Sequence, residues 1–153
     1  MDAVIGLLQR VSQARVTVAG AEIAAIGRGL VVLVGVERGD TQAQAERLAA
    51  RLLGYRVFAA ADGRLDASVA AIGGALLLVP QFTLAADTGK GTRASFTPAA
   101  DPATGEQRFG ELVAAVTTQG SCPVATGRFG ADMQVSLTND GPVTFCLRAP
   151  PPA

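Results

Sequence analysis

Residues 138–145 read TNDGPVTF. The flanking residues are strand formers, yet Asn139, Asp140, Gly141 and Pro142 favour turns, and a proline removes a backbone donor from any ladder it joins. In one reading the four residues connect two antiparallel strands, ADMQVSLTN (131–139) and PVTFCLR (142–148). In the other, the Gly-Pro unit is itself the working part of a site. What surrounds it decides between them.

Upstream, the chain is rich in strands. In ARVTV (14–18) Ala14, Val16 and Val18 share one face, with Arg15 and Thr17 on the other. AGAE (19–22) supplies a turn that pairs EIAAIG (22–27) back as a hairpin. LVVLVGV (30–36) is apolar throughout, as in a strand covered on both faces. RGDTQAQAERLAARLLGY (38–55) predicts a helix capped by Asp40 or Thr41, with capping-box spacing from Thr41 to Gln44. Its buried stripe is Ala45, Leu48, Ala49, Leu52 and Leu53, and Gly54 stands where a left-handed C-terminal residue is wanted.

YRVFA (55–59) predicts a short strand. ALLLVPQFTL (75–84) predicts a central strand that ends at Pro80 and turns Gln81–Leu84 outward. AADTGKGTRASFTPAADP (85–102) is a long surface loop carrying Lys90 and Arg93. A second helix follows, with Asp101 as cap, Pro102 at its first position, Phe109, Leu112, Val113 and Val116 as its stripe, and Gly120 as its end. The expected class is α+β: a single domain of mostly antiparallel β-sheets with two packed helices.

The 153 residues are 49% hydrophobic and 17% charged, which excludes a disordered chain. Thirteen basic and thirteen acidic residues cancel. That balance argues against indiscriminate gripping of phosphate backbones, but leaves room for a local contact with one nucleic-acid end. Low charge with many apolar residues points to burial against a second copy of the chain. The opening MDAVIGLLQR lacks the features of a signal peptide, and the apolar runs are too short to span a bilayer, so no membrane is expected. Cys122 and Cys146 lack CxxC spacing, which predicts a reduced cytoplasmic setting with Cys146 as a core thiol.

The chain contains no histidine. This removes the commonest general base, the Ser-His and Cys-His pairs and the usual zinc ligand. No acidic cluster has metal spacing, so neither a metal nor a cofactor is expected. An enzyme built this way uses unusual groups, or its substrate supplies one. Thr83 is a weak nucleophile without a base beside it. Gln81 either aims an amide at a carbonyl oxygen or is an ordinary surface glutamine. Arg10 is a surface charge or a guanidinium fork holding carbonyls. Phe129 and Met133 pack a core or line a pocket.

Taken in order, LLQRVSQARVTVAG (7–20), GLVVLVGV (29–36), LLGYRVF (52–58), PQFTLAADTGKGTRASF (80–96) and TGRFGADMQVSLTNDGPVTF (126–145) resemble the D-aminoacyl-tRNA deacylase family. The resemblance makes 1–148 the deacylase domain and 149–153 a flexible tail. It implies a cytoplasmic homodimer that cleaves the ester joining a D-amino acid, or wrongly attached glycine, to the acceptor end of tRNA. It also implies that Gly141 and Pro142 form a cis unit reaching into the partner's pocket, steadied by Arg10. The unit's carbonyl oxygens would bind the substrate's ammonium and crowd an L side chain, so that chirality is read by rejection.

By the same resemblance Gln81, Phe82 and Thr83 line the ester end, and Phe129 and Met133 border the adenosine and amino-acid pocket. Backbone N–H groups at Gln81 and Phe82 polarise the ester, and the tRNA's 2′-hydroxyl assists hydrolysis. Lys90, Arg93 or Arg128 would touch phosphates. The family usually has serine where this chain has Pro80, and there the chain resembles a related branch acting on misacylated tRNA. The alternatives are therefore that branch's specificity, a non-catalytic tRNA-end-binding homologue, and an ester hydrolase using Thr83.

Overall fold

The computed structural model describes residues 3–151. Its longest strands are β1 (Val4–Val18) and β8 (Gln134–Ala149). Along one edge β1 pairs antiparallel with β8 over nearly its whole length. Along the other it pairs first with β3 (Gly29–Gly35) and then with β2 (Ala21–Ile26), both antiparallel. Beyond β3 the sheet continues through β6 (Ala75–Pro80) and β7 (Val124–Thr126), both parallel to their neighbours. The sheet is therefore mixed: its three pairings through β1 are antiparallel, and the two through β6 are parallel. Parallel pairing follows from the crossovers: α1 (Gln42–Gly54) lies between β3 and β6, and α2 (Pro102–Gln119) lies between β6 and β7. A separate small ribbon pairs β4 (Phe58–Ala59) with β5 (Leu65–Ala67).

The uniform apolar runs are explained by cores on both faces of the sheet. Leu30, Val32, Leu76 and Leu78 face the helices and pack with Leu48, Leu52, Leu112 and Val116. The alternate residues Val31, Leu77 and Val79 face a second core with Val11, Ala14 and Val16. Partly buried Ile23, Ala125, Met133 and Leu137 join that second core from β2, β7 and the β8 side, so the sheet curls toward a barrel. Gly29 begins β3 under a close approach: a Cβ there would lie 1.8 Å from the Ala75 carbonyl oxygen.

Helix α1 keeps the expected buried stripe and starts at Thr41, whose N–H donates to Gln44 Oε1 at 2.7 Å. Gly54, however, is the last helical residue, and extended Tyr55 follows it, so the left-handed end is not used. Buried Gln44 donates to Asp40 Oδ1 at 3.1 Å and to the Ala149 carbonyl at 3.2 Å. Ala149 is fully buried in β8, which moves the start of the expected tail beyond it. Of that tail, 152–153 lie outside the described residues. Cys146 is exposed, not a core thiol, because it lies on the open face of β8. Leu48 has no exposed surface. Leu48→Ala is expected to cost about 2–5 kcal/mol in denaturant unfolding, with an unchanged m-value.

The two strands expected around Asn139–Pro142 are one strand. Both halves pair with β1 in the same sense: Gln9 faces Thr144, and Val11 faces Asn139. Two steps along β1 thus correspond to five along β8, and the surplus is extruded as a bulge that contains Gly141 and Pro142. Pro142 needs no ladder partner there, which is how turn residues sit in mid-strand.

Candidate active site

Where β6 ends at Pro80, the Gln81 N–H still donates to the Val34 carbonyl at 2.7 Å. The chain then tightens into a 3-10 turn, Phe82–Ala85. The Gln81 side chain donates to the Thr83 hydroxyl. The expected pair of free donors is thus reduced: the Gln81 N–H is engaged, whereas the N–H groups of Phe82 and Thr83, in the first turn, have no acceptor among the described residues.

This turn forms one wall of a cavity of about 620 Å³. Pro80, Gln81 and Phe82 line it, as do Phe129 and Met133 from the segment leading into β8. Val34, Val36, Val79 and Phe109 supply the apolar floor, and Arg38 and Asp101 are its charged lining residues. Hydrogen bonding from Thr104, through its side chain and its backbone N–H, holds the Asp101 carboxyl below the usual range. A carboxyl lowered in this way stabilises the folded chain above the ordinary Asp range, and that contribution fades as pH falls through the lowered value. Asp101 also accepts from Thr104 N–H as the cap of α2, so it serves the helix. Burial pushes the Cys122 thiol up, away from thiolate character. Among the described residues no group of three or more Cys, Asp or Glu is placed to hold a metal ion.

Arg10, Gly141 and Pro142 form a second cluster, away from that lining. Arg10 Nε donates to the Asp140 carbonyl at 2.8 Å, and Nη1 donates to the Val57 carbonyl at 2.8 Å. Asn139 Oδ1 accepts from the Val143 N–H at 3.0 Å, and its Nδ2 donates to Thr144 Oγ1 at 2.9 Å, which closes the bulge. The Gly141–Pro142 peptide is cis, Gly141 has φ 139°, and both residues are exposed. The guanidinium is thus a fork holding carbonyls, and its 3.7 Å approach to the Asp140 carboxylate adds little.

Residues 7–148 match the family model for D-Tyr-tRNA(Tyr) deacylase. The chain belongs to this family. Curated D-aminoacyl-tRNA deacylases resemble it closely: that of Nitrosococcus oceani is 66% identical over 147 residues, 96% of this chain and 94% of the relative. That of Methylococcus capsulatus is 63% identical over 147 residues, 96% and 95% of the two chains. A solved structure of a c-Myc DNA Unwinding Element Binding Protein is 36% identical and superposes with a TM-score of 0.91, covering 96% of this chain and 99% of that one. The family is one of hydrolases, and this member is an enzyme of that class.

The fold brings Gln81, Phe82, Phe129 and Met133 into one cavity. Thr83 adjoins it without lining it, and among the described residues its hydroxyl accepts from the Gln81 amide, not from a base. Arg38 and Phe96 also line the cavity, and sequence patterning singled out neither. Arg38 sits in the entry to α1, where a charge reads as solvated. Phe96 sits in the long loop, whose length was the one available signal. Among the described residues no helix is long and apolar enough to cross a membrane.

Proposed function

We propose that the protein hydrolyses the ester of D-aminoacyl-tRNA and of mischarged glycyl-tRNA, as a homodimer in the cytoplasm. The observation that carries this reading is a largely apolar cavity whose polar turn offers backbone N–H donors and no general base. The cavity holds the terminal adenosine and the amino acid between Phe129, Met133 and the Gln81–Phe82 turn. The Phe82 N–H polarises the ester carbonyl and stabilises the oxyanion formed when water adds. The water's hydroxyl remains on the acyl carbon, and its proton reaches the leaving 3′-oxygen with help from the neighbouring 2′-hydroxyl. The protein supplies position and electrostatics.

Gly141 and Pro142 do not line their own protomer's cavity. In the proposed dimer their carbonyl oxygens enter the partner's cavity, bind the α-ammonium and crowd an L side chain. Support for a dimer comes from β8, an edge strand whose Val135 and Phe145 are exposed. Pro80 favours a second reading, a substrate range shifted toward that of the misacylated-tRNA branch, because it puts an apolar ring in the cavity wall where the family usually has a hydroxyl. A deacylation time course with D-tyrosyl-, L-tyrosyl- and glycyl-tRNA tests both. D-tyrosine and glycine should be released while L-tyrosine leaves at its spontaneous rate. Equal rates for the two enantiomers would defeat chiral rejection, and binding without turnover would defeat the enzymatic reading.

A further inference from the structure

Phe96 and Phe82 project from the mouth of the cavity with rings 47% and 60% exposed. Their centroids are 5.3 Å apart with planes tilted by 48°. Exposed aromatic pairs usually ride on mobile loops, but the backbone beneath Phe96 is pinned on both sides. Before it, Asp87 and Ser95 exchange backbone hydrogen bonds of 2.8 and 2.9 Å. After it, Arg38 donates from Nε to the Thr97 carbonyl at 2.5 Å and from its backbone to the Pro98 carbonyl at 2.9 Å. The Phe96 carbonyl itself accepts from Ala99 N–H at 3.0 Å. A large apolar ring is therefore carried on a fixed backbone with about half of its surface left in water.

We infer that Phe96, with Phe82, is a stacking platform for the nucleotide that precedes the terminal one of the acceptor strand. The inference rests on the deacylase reading for its substrate. With the terminal nucleoside and its amino acid inside the cavity, chain connectivity brings the preceding base out at the mouth, where these rings stand. Base–aromatic stacking tolerates sequence and needs no net positive charge, which suits a chain whose basic and acidic residues cancel. Lys90 and Arg93, exposed on the same loop, lie in the segment closed by the Asp87–Ser95 pair and are placed to meet the phosphates that follow.

The test compares probes that carry no amino acid: adenosine, the dinucleotide CpA, and a dinucleotide with an abasic first position that keeps the phosphodiester charge, titrated against the whole protein. CpA should bind about tenfold more tightly than adenosine, and the abasic probe should lose that gain. Because Phe96 also lines the cavity, the quantity read is the ratio of CpA to adenosine affinity: Phe96→Ala should bring that ratio to about one, and Phe96→Trp should restore it, with the protein folded in both variants. The platform is overturned if CpA and adenosine bind alike to the parent protein, or if Phe96→Ala weakens both equally. Its failure is separable from that of the deacylase reading. A CpA gain in a protein that releases no amino acid spares the platform, whereas deacylation without any CpA gain sinks the platform alone.

Discussion

Gly141→Val is expected to reduce deacylation of D-tyrosyl-tRNA by about 100-fold, the scale of a misplaced catalytic geometry, while leaving the unfolding midpoint nearly unchanged. Gly141 has φ 139°, a conformation that side-chain-bearing residues rarely adopt. A Cβ there would stand 2.9 Å from the Val143 backbone nitrogen and 3.1 Å from Arg10 Nη2. The arginine can give way, but the backbone nitrogen cannot move without disturbing its bond to Asn139 Oδ1. The bulge would reshape and turn its carbonyl oxygens off target. Because Gly141 and Pro142 are exposed and extruded from the ladder, the pairing of β1 with β8 survives. Measured kcat/KM beside a melting curve checks this. Full activity in the variant would remove Gly141 from the site, and a collapsed melting temperature would make its role structural.

How far the sequence alone led can be read from particular residues. Helices α1 and α2 were legible because their caps and stripes are local: Thr41 with Gln44, and Asp101 with Pro102, start them where spacing rules place them. The strand runs were legible as buried, but not their sense, since Leu76 and Leu77 look alike whether β6 runs parallel or antiparallel to β3. The Asn139–Pro142 stretch shows the limit most clearly. Turn chemistry announces a departure from the ladder, yet only β1, pairing with both halves, makes it a bulge and not a hairpin. For the site, the resemblance supplied Gln81, Phe82, Phe129 and Met133. Arg38 and Phe96 join them through tertiary contacts that no local pattern encodes. The donor at Gln81 was lost for the same reason: the Val34 carbonyl that takes it lies on a different strand.

Arg10→Met should lower activity by about 10- to 100-fold and also destabilise the fold, and the balance between the two effects identifies what the residue does. Its side chain is 15% exposed and spans two carbonyls on separate segments, Asp140 in the bulge and Val57 beside α1. Methionine keeps much of the stem's packing but neither donor. The Val57 carbonyl belongs to a fully buried residue, so losing its partner should cost about 1–3 kcal/mol. The Asp140 carbonyl is exposed and can turn to water, so its loss costs little stability but frees the bulge to move. Arg10→Lys discriminates further. A single ammonium group cannot reproduce the planar fork, so lysine should recover part of the stability and leave activity well below the parent's. If lysine restored both equally, or if Arg10→Met lost stability yet kept full kcat/KM at a temperature where it is folded, Arg10 would be a structural cross-link with no part in aiming Gly141 and Pro142.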